Sequence, residues 1–417
     1  MLVTSKAKVR AWKLSGSRLN RMKCSSACSA LLFALCPSLV SAQRGDTTVS
    51  QQIAPGVAYR KFTDASGPWI ANLVRINLRT AHVDLRAAHA DNALRGREKV
   101  TDIVRRATDN GDVVYAAVNA DFFELKTGEN ENNQVINGEW WKGLKVTDSP
   151  YDTYDNVHAQ LGVDAKHHVF MDRFILNAKF WDRGAMTPIV TVNSRPSGTY
   201  EGTALFTSRF GTKTPRDTTR KIREASLRQS GMRGDTALYV RVGAVRELSG
   251  TDIPDNGAVL SAYGPRALAV QALAEGDTVK VLLATLPALP RNSHLQQLIG
   301  GWPRILRDGK NVAGDAATAE GTLSRNAEAR HPRTAVGFSR DSSKLFILTI
   351  DGRSENSGGA TLVELAALMR KLGAWQAMNF DGGGSTTMVV GGRVVNVPSD
   401  STGERAVGNA LLVVRRR

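Results

Sequence analysis

Between residues 57 and 89 apolar and polar positions alternate, most clearly at 69–78 (W-I-A-N-L-V-R-I-N-L) and 82–88. This is the period of strands with one buried face. At 98–107 the spacing becomes helical, with Val100, Ile103 and Val104 on one side. Residues 112–118 (D-V-V-Y-A-A-V) are almost continuously apolar, which predicts a central buried strand ending at Asn119-Ala120-Asp121. Polar groups at the end of such a strand are well placed for a site. An Asn- and Gly-rich loop at 127–133 precedes short strand-like pieces at 135–138, 142–146, 159–163, 168–171 and 189–192.

Residues 207–235 are poor in hydrophobics and rich in Arg, Thr and Ser. They predict a basic insertion on the body of the protein, with a charged hairpin as the alternative. Strand patterning resumes at 237–245, 258–262 and 278–284, and is clearest at 335–338 and 344–350. Thr361-Leu362-Val363-Glu364 has the spacing of a capping box, and Leu362, Leu365, Ala366, Met369 and Leu372 mark the buried face of a helix that ends near Gly373. Residues 374–380 then return to the sheet. This strand, helix, strand order places Asp351 and Asp381 at neighbouring strand ends on one edge. Many short strands with few helices predict an α+β fold with a mixed, β-rich sheet core.

The decapeptide 379–388, N-F-D-G-G-G-S-T-T-M, stands between two strand-like runs. Gly382, Gly383 and Gly384 can adopt positive φ and let a ligand approach the main chain, and their N–H groups suit an anion. Ser385, Thr386 and Thr387 add hydroxyls, and Asp381 sets a carboxylate beside them. A tight turn is the plainer reading of Asp-Gly and Gly-Gly. Its polar company weighs against that reading: H-P-R-T-A-V-G at 331–337, D-G-R-S at 351–354, P-S-D at 398–400 and G-E-R at 403–405 all flank apolar segments.

Residues 1–42 have the layout of a cleavable secretory signal: seven basic residues and no acid, then an apolar run at 27–40, then Val40-Ser41-Ala42. Cleavage after Ala42 predicts a secreted or periplasmic protein with no integral membrane segment, residues 43–417 forming the working domain. The seven basic residues leave with the signal, lowering the formal charge from +16 to +9, and so do Cys24, Cys28 and Cys36. A cysteine-free chain has no disulfides, thiolate nucleophile or thiolate-bound metal. The remaining basic residues lack interleaved aromatics, which argues against a nucleic-acid partner. There is no Walker lysine and no G-x-S-x-G elbow. His167 and His168 are adjacent and make a poor metal pair, and His331 is single. No cofactor is required by the sequence, while a Ca²⁺ site of Asp and Asn oxygens stays open.

From 299 to 414 the chain reads I-G-G-W-P-R-I-L-R-D-G-K, H-P-R-T-A-V-G-F, D-G-R-S-E-N-S-G-G, N-F-D-G-G-G-S-T-T-M and V-P-S-D-S-T-G-E-R-A-V-G-N-A-L-L-V. In this order the motifs resemble the phosphodiester glycosidase family, with a weaker echo in N-A-D-F-F at 119–123; residues 181–298 match no motif. Phe380 stands where a smaller aliphatic residue is expected. The resemblance implies hydrolysis of the sugar C1–O bond of a glycosyl phosphodiester. Arg333, Arg353 and Arg405 are then the expected phosphate ligands, with salt bridges to Asp351, Asp400 or Glu404 as their structural alternative. Asp381 is the first choice for the catalytic carboxylate, followed by Asp351, Asp121 and Glu404. Asn119, Ser354, Asn379, Ser385 and Thr386 are candidate hydrogen-bond partners of substrate. The competing classes are a non-catalytic envelope or exopolysaccharide-binding protein and a phosphodiesterase that cleaves P–O.

Overall fold

A computed structural model describes residues 47–65, 67–145, 158–196, 202–289, 293–320 and 328–416. The signal-like segment lies outside them. Within the body, strands far outnumber helices, and three larger sheets organise it. Arg333–Phe338 sits near the middle of an eight-stranded sheet, flanked antiparallel by Lys344–Ile350 and Gln376–Asn379. Val114–Asn119 is the middle strand of a five-stranded sheet, between Met388–Val390 and Asn409–Arg415.

These two sheets pack face to face. Val74, Val336, Ile347, Met378 and Phe380 from the first meet Val118, Met388, Leu411 and Val413 from the second in one buried cluster. The outer face of the eight-stranded sheet is covered by the helix Leu362–Leu372, through Phe346, Leu348, Leu365 and Met369. The outer face of the five-stranded sheet is covered by the helix Val100–Asp109, through Val100, Ile103, Ala117 and Leu412. Helix, sheet, sheet and helix therefore form four layers. This explains the continuous apolar runs: both faces of each strand are covered. The α+β expectation holds only coarsely, because strand dominates and the helices are thin outer covers. Phe380 is fully buried in the inter-sheet cluster, so the larger side chain is absorbed there.

The capping box is present in full, with Thr361 accepting from the Glu364 amide, Glu364 accepting from the Thr361 amide, and Gly373 closing the helix at φ 106°. Asp351 and Asp381 do lie at one sheet edge, but not on adjacent strands. Lys344–Ile350 and Gln376–Asn379 run parallel to each other with Arg333–Phe338 between them, so the start of that strand, Arg333, enters the same edge.

In the basic stretch 207–235, residues 222–233 form a hairpin with Thr236–Arg246, as the charged-hairpin alternative had it. Ile222–Arg233 is a strand of the twelve-stranded sheet, paired on both sides, with Ile222, Ala225 and Leu227 buried. Its arginines, Arg223, Arg228 and Arg233, occupy the more exposed positions while Glu224 is buried, and these charges diluted the apolar signal to a level that reads as loop. No helix among the described residues is long and apolar enough to cross a membrane.

Candidate active site

Three strand ends converge on a pocket of about 240 Å³ lined by Arg333, Arg353, Asn379, Asp381, Arg405 and the glycine loop. Asp381 is held from behind by the five-stranded sheet: its N–H donates to the Ala120 carbonyl (2.8 Å), and Asn119 Nδ2 donates to its carbonyl (2.7 Å). The Asn119 oxygen accepts from Thr334 Oγ1 (2.8 Å) and from the Thr387 amide (3.1 Å). Asn119 thus pins the two sheets and the loop together and positions Asp381 without lining the pocket.

Burial pushes the Asp381 carboxyl up to about 6, and Asp121 adds to the rise; the Ser385 hydroxyl, the Gly382 amide and Arg405 pull the other way. Among the described residues that line the pocket, Asp381 is the one carboxylate, against three arginines. Arg333 is buried, donating through Nε to the Ala360 carbonyl and through Nη2 to the Ala329 carbonyl, both at 2.8 Å. Burial lowers it to about 10, with Asp381 drawing it back up, so it stays charged at neutral pH. Arg353 is exposed and has a single long contact to Ser399 Oγ (3.4 Å). Arg405 fulfils its structural alternative: its Nε and Nη2 bind both oxygens of Asp400 at 2.7 and 3.0 Å. Its Nη1 reaches Ser385 Oγ at 3.3 Å, so it also lines the pocket.

The glycine loop behaves differently from the anion nest its sequence suggests. Of the five amides from Gly382 to Thr386, four are taken internally: by Asp381 Oδ1, Pro332 O, Gly382 O and Gly383 O. The glycines answer to close approach instead. A Cβ on Gly384 would stand 2.0 Å from Asp400 Oδ1 and 2.2 Å from Arg405 Nη2, and Gly383 has φ 59° with Arg353 Nη2 3.0 Å from its Cβ position. The loop lets guanidinium groups reach the pocket, and these carry the positive charge.

Other candidates stand outside the pocket. Asp351 is 2% exposed and accepts through Oδ1 from the Val397 amide (3.2 Å), while Oδ2 has no hydrogen-bond partner among the described residues. Burial raises it to about 6, opposed by the Val397 amide and Lys61. Asp121 is equally buried and saturated by Asn130 Nδ2 (3.0 Å), the Asn132 amide (3.0 Å) and Asn132 Nδ2 (2.6 Å). Its Asn neighbours donate to it instead of presenting oxygens to a cation. Glu404 accepts from the amide and hydroxyl of Thr101 at 2.9 and 2.7 Å, holding the first turn of the helix Val100–Asp109. Ser354 closes a turn with Ser357, Ser385 is a buried member of the loop whose hydroxyl meets Asp381 and Arg405, and Thr386 Oγ1 is buried away from the pocket lining. No group of three or more His, Cys, Asp or Glu among the described residues is placed to hold a metal ion.

The sequence reading missed the pocket's walls. Phe122 and Trp302 meet edge to face at 5.7 Å, and Trp302 stacks on His158 at 4.6 Å. Burial lowers His158 to about 3, so this support is neutral. Pro303, His331 and Leu362 complete the wall. Phe122, Trp302 and Pro303 lie inside the motifs N-A-D-F-F and I-G-G-W-P-R, which is the signal that could have found them.

Residues 233–414 match the phosphodiester glycosidase family model. That segment, under half of the chain, is similar to the phosphodiester glycosidase family. The family match extends well ahead of the motif-bearing segment, into 233–298, where no motif is recognisable by eye. N-acetylglucosamine-1-phosphodiester alpha-N-acetylglucosaminidase of Bos taurus is 32% identical over 133 residues, covering 30% of this chain and 25% of that protein. The chain spans between 15% and 36% of the length of the curated relatives it matches. Two crystal structures are similar to this chain in fold. A hypothetical protein from Synechocystis has a TM-score of 0.69 at 22% identity, covering 87% of this chain and 62% of its own. A protein of Burkholderia pseudomallei K96243 has a TM-score of 0.64 at 25% identity, covering 83% and 74%.

Proposed function

We propose that the pocket hydrolyses the bond between a sugar's anomeric carbon and the oxygen of a phosphodiester, in a protein exported by its N-terminal signal. The observation that carries this reading is a pocket-lining carboxylate, Asp381, set against Arg333, Arg353 and the Asp400-paired Arg405 beside an aromatic wall. The bovine relative's name, a phosphodiester alpha-N-acetylglucosaminidase, supports the same bond as the target.

The arginines hold the phosphate and stabilise it as it departs with the C1–O electron pair. The start of the helix Leu362–Leu372 at the pocket wall adds a smaller favourable field. A phosphate ester leaves readily, so no acid is needed opposite Asp381. Ionised above about pH 6, Asp381 takes a proton from the water that attacks C1, or attacks C1 itself. Inversion at C1 would report the first course and retention the second.

Hydrolysis of sugar-1-phosphodiesters in ¹⁸O-water tests the reading, with label expected in the sugar. Label in the phosphate would make the protein a phosphodiesterase, and binding without turnover would make it a carbohydrate-binding protein. The pH profile of kcat/KM is a second check: since the carboxylate form is required, the rate should fall about tenfold per unit below about pH 6. A rate unchanged down to pH 4.5 would remove Asp381 from the chemistry. Arg353→Ala, at an exposed position that leaves the fold intact, should raise KM by roughly tenfold or more with kcat less affected. Equal KM in the variant would mean that Arg353 does not touch the phosphate.

A further inference from the structure

A second cavity, of about 780 Å³, lies on the twelve-stranded sheet and shares no lining residue with the Asp381 pocket. Its floor is built by Ile222–Arg233, Thr236–Arg246 and Thr278–Leu286. Gln229 is directly opposite Tyr239, Tyr239 is opposite Val279, and Val281, Leu283 and Thr285 continue that face by strand alternation. Tyr239 is 7% exposed and Thr285 is 5% exposed. Among the described residues nothing bonds the Tyr239 hydroxyl, which, unlike the sealed Thr285 Oγ1, is not buried and belongs to a groove-lining side chain. It is free to donate to or accept from a ligand there.

The rim defines that ligand. Glu139, Asp235 and Asp255 line the groove, and among its described lining residues there is no Lys or Arg, in a chain with 55 Lys and Arg against 39 acids. Glu139 is fixed by two bonds from Arg209 at 2.9 and 2.7 Å, and Asp235 by His294 at 2.7 Å. Fixed acceptors with the amides of Gln229 and Gln296 disfavour an anion and would be wasted on a hydrocarbon. Sugar hydroxyls donate to carboxylates and accept from amides, while Trp140 and the exposed Met232 offer apolar surface to C–H faces. We propose that this groove binds an uncharged oligosaccharide, as a glycan site separate from the Asp381 pocket. The proposal stands whether or not that pocket is hydrolytic.

Calorimetric titration of the purified protein with chitohexaose, maltohexaose and cellohexaose, each with and without inorganic phosphate, tests it. At least one should bind without competition from phosphate. Tyr239→Phe, which removes only a hydroxyl, and Gln296→Ala should each weaken binding by roughly tenfold. Asp381→Asn should leave binding unchanged, and Tyr239→Phe should leave turnover of a small sugar-1-phosphodiester unchanged. The proposal is overturned if none of the three binds, if phosphate competes, if Asp381→Asn abolishes binding, or if neither groove variant changes it.

Discussion

Asp381→Asn is expected to lower kcat by about 10²–10⁴, equivalent to roughly 3–5 kcal/mol of transition-state stabilisation, with KM unchanged or lower. The amide retains an oxygen to accept from the Gly382 N–H at 2.8 Å, and the main-chain anchors to Ala120 and Asn119 do not involve the side chain. The loop therefore keeps its shape. What would disappear is the proton acceptor, or nucleophile, of the proposed reaction. The substitution also removes the carboxylate that lines the pocket with Arg333, Arg353 and the Asp400-paired Arg405, so an anionic substrate is expected to lose no affinity. Steady-state kinetics at pH 7.5 with a sugar-1-phosphodiester checks this. Retention of more than a tenth of the rate would show that the carboxylate is not part of the chemistry.

Asp351→Asn is expected to do the opposite of damage: at pH 7 and above it should stabilise the fold by about 2 kcal/mol. Asp351 has a folded pKa of about 6 against an ordinary value near 3.8, so the native state holds the proton more tightly than the unfolded chain does. Stability is thus highest below about pH 4, falls as pH rises through 4 to 6, and stays lowered above 6. Asparagine removes the charge whose burial causes that loss and keeps an oxygen for the Val397 amide. Denaturant melts of both proteins should differ at pH 7.5 and converge near pH 4. A variant less stable at pH 7.5 would show that the buried oxygen has a partner that needs its charge. Loss of turnover with a stable fold would return Asp351 to the catalytic list.

The contrast between these two aspartates marks what the sequence could and could not reveal. Both precede Gly, and both end a strand on the same edge, so local pattern treats them alike. Only the strand order, with Arg333 entering between them, decides that one opens into a pocket and the other is sealed. The strands, the capped helix and the arginine motifs were legible because each is a local regularity. Glu404 was misplaced because its partner, Thr101, is 303 residues away. The glycine loop was misjudged because Gly-Gly-Gly is the same signal whether amides face a ligand or side chains crowd the backbone. The aromatic walls were in view as letters, but nothing in spacing says that Phe122 and Trp302 meet.

The strand Asn409–Arg415 enters between Val83–His89 and Val114–Asn119, and Asn409 also receives the Asp121 amide at 2.9 Å. A copy still on the ribosome, or clipped ahead of residue 409, has two apolar strands with facing unpaired edges and no finished frame beneath Asp381. Unpaired apolar edges of this kind are templates for pairing with another chain. Asn409–Arg415 thus joins two otherwise separate edges and, through Asn409, ties that seam to the segment beneath Asp381.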